Sequence, residues 1–232
     1  MIVSHRHRFI FVRTRKTAGT SVEIALSKFC GPHDIITRDT DIDDALRREL
    51  GYPGPQNDFG IPWSEYTFGE WRRLLLRGQR ARFKNHMPAA RIRSLVGDVI
   101  WRDYYKFAIE RDPWDKAISL YYWRTRDEKP RRPLLQFLEE VGTRSLSNAH
   151  IYLIDGRLAV DRIIAYEQLP EQLEDVRRRL ALPEPLSLPR AKATHRAERS
   201  HYSQLLGPAE RAVIDATCSR EIELLGYRFQ EG

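Results

Sequence analysis

Arg8-Phe9-Ile10-Phe11-Val12-Arg13-Thr14-Arg15-Lys16-Thr17-Ala18-Gly19-Thr20-Ser21 is the stretch on which the fold turns. The apolar run Phe9 to Val12 stands between charged residues, the pattern of a short central strand buried on both faces. After a polar turn, Val22, Ala25, Leu26 and Phe29 recur at helical spacing, and Gly31-Pro32 ends the helix. Strand, tight turn and helix in that order aim backbone N–H groups and the positive helix end at one point, which makes an anion site. Gly19 is expected to let the backbone approach the ligand closely. Thr17, Thr20 and Ser21 add hydroxyls, and Lys16 adds a point charge. Taken alone, the same residues also read as a polar turn with a capped helix. They are not a Walker A loop, Gly-x-x-x-x-Gly-Lys-Ser/Thr, because Lys16 precedes Gly19 and no glycine lies upstream.

A second strand–turn–helix unit begins at Tyr105-Lys106-Phe107-Ala108-Ile109. Asp112 is its N-cap, Pro113 the first helical residue, and Asp115 lies in the first turn. The helix Trp114–Trp123 carries Ala117, Ile118, Tyr121 and Tyr122 on its inner face. Arg111 falls where strand becomes helix, and Ser119 lies two turns further on. An arginine fork and a hydroxyl converging there suit a second phosphate. An ordinary ion pair and a core-edge serine are the bland alternatives.

Arg162 to Tyr166 reads as a third strand, with a helix after Pro170 that runs to about Leu182, and a last helix from Pro208 to about Leu225. Strands alternating with helices imply a three-layer α/β domain over residues 1–232, a central parallel sheet flanked by helices. Residues 38–80 are a loop-rich insert with one short amphipathic stretch and a helix near Glu70–Leu76. Within the insert, Trp63, Tyr66 and Trp71 either stack on sugar rings or pack it onto the core.

Composition narrows the class. The 232 residues include five Trp, ten Tyr and nine Phe, which argues against disorder. The longest apolar runs fall far short of the ~20 residues of a membrane span. The basic start His5-Arg6-His7-Arg8 is followed by too few apolar residues for the ~7–15 of a signal peptide. Two cysteines, Cys30 and Cys218, supply neither a disulfide framework nor a metal-ligand set. A cytoplasmic location is the expectation. The net charge of +7 points to an anionic partner.

The segment FIFVRTRKTAGTSVE resembles the 5′-phosphosulfate loop of the sulfotransferases that use 3′-phosphoadenosine 5′-phosphosulfate (PAPS). YKFAIERDPWDKAISLYY is similar to their 3′-phosphate motif, and HYSQLL with the closing ELLGYRF resembles the carbohydrate (Golgi-type and bacterial) branch. Arg15 stands where that branch usually has Pro, and Asp112 where it has Asn. The resemblance implies a P-loop-like sulfotransferase fold and transfer of a sulfuryl group from PAPS to a glycan hydroxyl, with 3′-phosphoadenosine 5′-phosphate (PAP) as product. It implies no metal, while the short apolar runs exclude an integral membrane segment and the scatter of the basic residues over many segments speaks against nucleic acid. It assigns nucleotide binding to Arg15, Lys16, Thr17, Ala18, Gly19, Thr20 and Ser21, with Arg111, Ser119 and, from the basic stretch Arg190–His201, Arg199. Lys16 would stabilise the leaving phosphate. It also places a catalytic His or Glu between the two motifs, and His86 is the candidate general base. An imidazole suits because its ordinary pKa of ~6.5 lies near working pH. His33, His150, His195 and His201 are rivals. A related nucleotide kinase or hydrolase, and a basic nucleic-acid-binding module, are the competing functions.

Overall fold

Residues 1–189 and 200–231 are described in the computed structural model. The strands are β1 (Ile2–Ser4), β2 (Phe9–Val12), β3 (Ile35–Ile36), β4 (Tyr105–Glu110), β5 (Leu153–Ile154), β6 (Arg157–Leu158) and β7 (Arg162–Ala165). The helices of the first half are α1 (Gly19–Ser27), α2 (Asp41–Glu49), α3 (Phe68–Arg77), α4 (Ala89–Val96), α5 (Asp98–Asp103) and α6 (Pro113–Arg124). The second half adds α7 (Leu134–Glu140), α8 (Thr143–Leu146), α9 (Ala149–Tyr152), α10 (Leu169–Arg179), α11 (Pro208–Thr217) and α12 (Ser219–Leu225).

The main sheet has the order β3-β1-β2-β4-β7. β2, β4 and β7 pair in parallel, whereas β1 pairs antiparallel with both β2 and β3. The sheet is therefore mixed rather than wholly parallel, and β1 alone runs against the rest. The cause is local: only residues 5–8 join β1 to β2, too few for the crossover of a dozen or so residues that parallel strands need. The basic cluster His5 to Arg8 is the turn of that hairpin. Asp34 holds it, accepting from the Ser4 hydroxyl at 2.8 Å and the His5 amide at 2.7 Å.

Helices cover both faces. Phe9, Phe11, Phe107 and Ile109 pack on one side with Val22 and Leu26 of α1 and Leu173 and Val176 of α10. Ile10, Val12 and Ala108 pack on the other with Ile92 of α4, Trp101 of α5 and Ile151 and Tyr152 of α9. This alternation is the two-residue period of a strand buried on both faces. A third cluster joins Trp114, Ala117 and Ile118 of α6 to Phe137 and Leu138 of α7, Leu146 of α8 and Ile214 of α11. The closing helix is two helices, α11 and α12, that meet at the buried Cys218.

The insert is part core and part surface. Arg47 of α2 is fully buried and donates to Glu23 of α1 at 2.7 Å. No residue of α3 is buried.

Candidate functional site

The parallel strands β2 and β4 end, and α1 and α6 begin, at one cavity of about 450 Å3. Its wall includes Arg15, Lys16, Thr17, Ala18, Gly19, Thr20, Ser21, His86, Arg111 and Ser119. Every site residue expected from the sequence thus lines this cavity, except Arg199, which lies outside the described residues. The volume falls within the ~300–1,000 Å3 of small-molecule sites.

The loop owes its shape to two left-handed residues, Lys16 (φ 61°) and Ala18 (φ 57°). Neither is glycine, so the conformation needs outside support. The Thr14 hydroxyl donates to the Ile109 carbonyl of β4 and meets the Thr17 hydroxyl at 2.9 Å. Asn148, fully buried, straps the peptide of Arg15: its Oδ1 accepts from the Arg15 amide at 3.0 Å and its Nδ2 donates to the Arg15 carbonyl at 3.1 Å. Asn148 is tied in turn to Glu110 at 3.1 Å and to Glu221 of α12 at 2.7 Å. No side chain caps α1.

Gly19 lines the cavity without being left-handed, and it is packed closely from beneath. A Cβ there would sit 2.9 Å from Cγ of Arg13 and 3.4 Å from the Thr14 carbonyl. Gly19 makes room for Arg13. Gly19→Ala is expected to lower stability by ~1–3 kcal/mol through overpacking, read as a fall in melting temperature. An unchanged melting temperature would mean that Arg13 yields freely.

Arg13 is pinned beneath the loop. Its guanidinium donates to Glu23 at 3.0 Å, to Asp39 at 2.6 Å and to the Thr20 hydroxyl. Burial would push the Glu23 carboxyl up; the amine of Met1, Arg13 and Arg47 overcome this and hold it at about 2. Asp39 thereby brings the start of the insert against the loop.

His86 is itself left-handed (φ 59°), and its Nδ1 lies 3.2 Å from the Arg13 carbonyl. A carbonyl only accepts, so Nδ1 carries the hydrogen and Nε2 is the basic atom. Burial, then the charges of Arg13 and Arg15, push its pKa down to about 3. The ordinary value expected from the sequence does not apply. His33, His150 and His201 do not line the cavity, and His195 lies outside the described residues. His150 instead meets the Arg15 guanidinium at 3.2 Å.

Arg111 makes the ion pair of the bland alternative, with both Nε and Nη2 turned to Asp115. It binds Asp115 through Nε at 2.7 Å, donates to the Lys16 carbonyl at 3.3 Å and lies 4.3 Å from the Tyr166 ring centroid, while remaining in the cavity wall. The Asp112 carboxylate is turned into the helix, accepting from the Trp114 amide at 2.9 Å and the Asp115 amide at 3.0 Å. The Lys16 ammonium sits 5.3 Å from the Trp123 ring centroid.

Sequence reasoning passed over Arg13, Trp123, Arg124, Ser145 and Tyr166 of the cavity wall. Arg13 gave a signal, a charge placed directly after a fully buried strand. Ser145 gave none, since it sits on the remote helix α8. The rings of Trp63, Tyr66 and Trp71 lie outside the cavity and pack on one another, with centroids 5.4–5.7 Å apart.

No protein-family model matches the chain, and no solved structure does. An uncharacterized protein of Archaeoglobus fulgidus is 32% identical to it over 106 residues, which is 44% of this chain and 88% of the relative. At that identity and coverage, the chain belongs to the same family as the archaeal protein.

Proposed function

We propose that the protein transfers a sulfuryl group from PAPS to a hydroxyl acceptor, in the manner of the sulfotransferases its two motifs resemble. The observation that carries this reading is the convergence of both motifs on one cavity. The loop 15–21, at the uncapped start of α1, offers amides, hydroxyls and the Lys16 charge to a 5′-phosphosulfate. Arg111 and Ser119, on the neighbouring parallel unit, offer a positive charge and a hydroxyl to a 3′-phosphate, although the Nε and Nη2 edge of Arg111 is engaged by Asp115.

In the proposed reaction a bond forms between the acceptor oxygen and sulfur while the bond between sulfur and the phosphate oxygen breaks. The acceptor proton passes to Nε2 of His86, and PAP departs. Lys16 and the loop amides offset the charge that grows on the phosphate oxygen. A glycan acceptor follows from the resemblance.

PAP is expected to stabilise the protein by ~2.7 kcal/mol at a hundredfold excess over its dissociation constant, read as a rise in melting temperature. Arg111→Ala should weaken PAP binding about ten- to a hundredfold, the equivalent of a lost charged hydrogen bond, and weaken AMP binding much less, through the lost bond to the Lys16 carbonyl alone. Equal melting shifts with AMP and PAP in the unaltered protein would rule out a dedicated 3′-phosphate site.

A further inference from the structure

α3 is a helix whose outer face is exposed. None of its ten residues is buried; Phe68 is 85% exposed, Leu75 78% and Leu76 71%. It is nevertheless well fixed. Thr67 and Glu70 form a capping box at its start, and the left-handed Gly78 closes its end. Glu70 accepts from Arg91 at 3.0 Å, and Trp71 packs on Trp63 and Tyr66. These contacts hold one side. At ~100° per residue, Phe68, Arg72, Leu75 and Leu76 share an arc on the opposite side from Glu70.

Charge follows the same segment. Residues 71–84 carry Arg72, Arg73, Arg77, Arg80, Arg82 and Lys84 and no acidic residue. A rigid helix with an exposed apolar stripe among unbalanced cations is the form that lies in the plane of a lipid surface. The alternatives fit less well. Two copies of this chain would set one cationic segment against another. A nucleic acid would meet the cations but leave Phe68, Leu75 and Leu76 in water. An anionic lipid surface satisfies both, its headgroups taking the arginines and its acyl boundary taking the apolar stripe.

We propose that α3 and the basic segment through Lys84 dock the protein peripherally on an anionic lipid surface. Docking is independent of the sulfuryl-transfer reading, because none of these residues lines the cavity. Phe59, 49% exposed and 5.8 Å from the Arg82 guanidinium, extends the apolar contact.

The test is co-sedimentation of the full chain with vesicles of phosphatidylcholine containing phosphatidylglycerol, and with vesicles of phosphatidylcholine alone. Binding is expected to the first, to weaken with added salt, and to be absent from the second. Arg72→Gln/Arg73→Gln/Arg77→Gln should weaken it roughly a hundredfold, at about fivefold per cation near an anionic surface. Phe68→Ser/Leu75→Ser/Leu76→Ser should abolish it with the melting temperature unchanged, since no buried contact is lost. If that triple variant melts early, Leu75→Ser alone serves and should weaken binding measurably. Failure to bind anionic vesicles, equal binding to both kinds, or binding that survives the serine variants would overturn the proposal. So would a dimer in sedimentation equilibrium that the serine variants dissociate, which assigns the face to a second copy, or single-stranded RNA binding tighter than vesicle binding.

Discussion

His86→Ala is expected to bind PAP as the unaltered protein does and to turn over about 10²–10⁴-fold more slowly, the usual cost of a lost general base. The imidazole is placed for this by its Nδ1–H bond to the Arg13 carbonyl, which leaves Nε2 as the proton acceptor. The pH profile carries a sign of its own. In the proposed reaction the active form is neutral, and burial with Arg13 and Arg15 keeps it neutral down to about 3 in the free protein. The profile of kcat/KM, which reports the free protein, should therefore show no acid limb from this group near pH 6.5. Bound phosphosulfate brings negative charge beside the same guanidiniums and favours the imidazolium. The limb in kcat should accordingly lie at higher pH than the limb in kcat/KM. Near-normal turnover in His86→Ala would place the base elsewhere.

Glu23→Gln is expected to be strongly destabilising. Its carboxylate lies between the buried guanidiniums of Arg13 and Arg47 and is itself fully buried. Asp39 and Asp44 remain as partial partners for the two arginines. Removing one member of a buried ion cluster costs about 3–5 kcal/mol, because the opposite charges stay buried. At about 2–4 °C per kcal/mol for a chain of this size, the melting temperature should fall by about 6–20 °C. The pH dependence follows from the depressed pKa. The stability that Glu23 contributes is present above the ordinary carboxylate value of 4.5 and is lost as pH falls towards about 2. Glu23→Gln should lack that loss. A melting temperature within ~2 °C of the unaltered protein would show that the cluster contributes little.

What the sequence revealed was local. The run Phe9 to Val12, the helical spacing from Val22, and Asp112-Pro113 at the head of α6 are each specified by neighbouring residues, and each stands in the structure. The antiparallel β1 was missed because its hairpin turn is a run of histidines and arginines rather than glycine or asparagine. The left-handed turns at Lys16 and Ala18 were not legible, because neither is glycine and their support comes from Ile109 and Asn148, far along the chain. The depressed pKa of His86 was not legible either, since it depends on charges brought together by folding.

The hydrogen bonds that shape the anion loop bear on when the site comes into being. Thr14 reaches across 95 residues to Ile109, and Arg15 across 133 to Asn148. A nascent chain that has emerged through residue 100 holds every letter of the loop but neither of the distant props for its left-handed turns. Contacts so distant in the chain close late, after the entropy of long intervening segments has been surrendered. The nucleotide affinity proposed above should therefore arise near the end of folding. An excised fragment of residues 1–100 would carry the signature without the pocket, and a nascent chain would lack the cavity until Asn148 is in place.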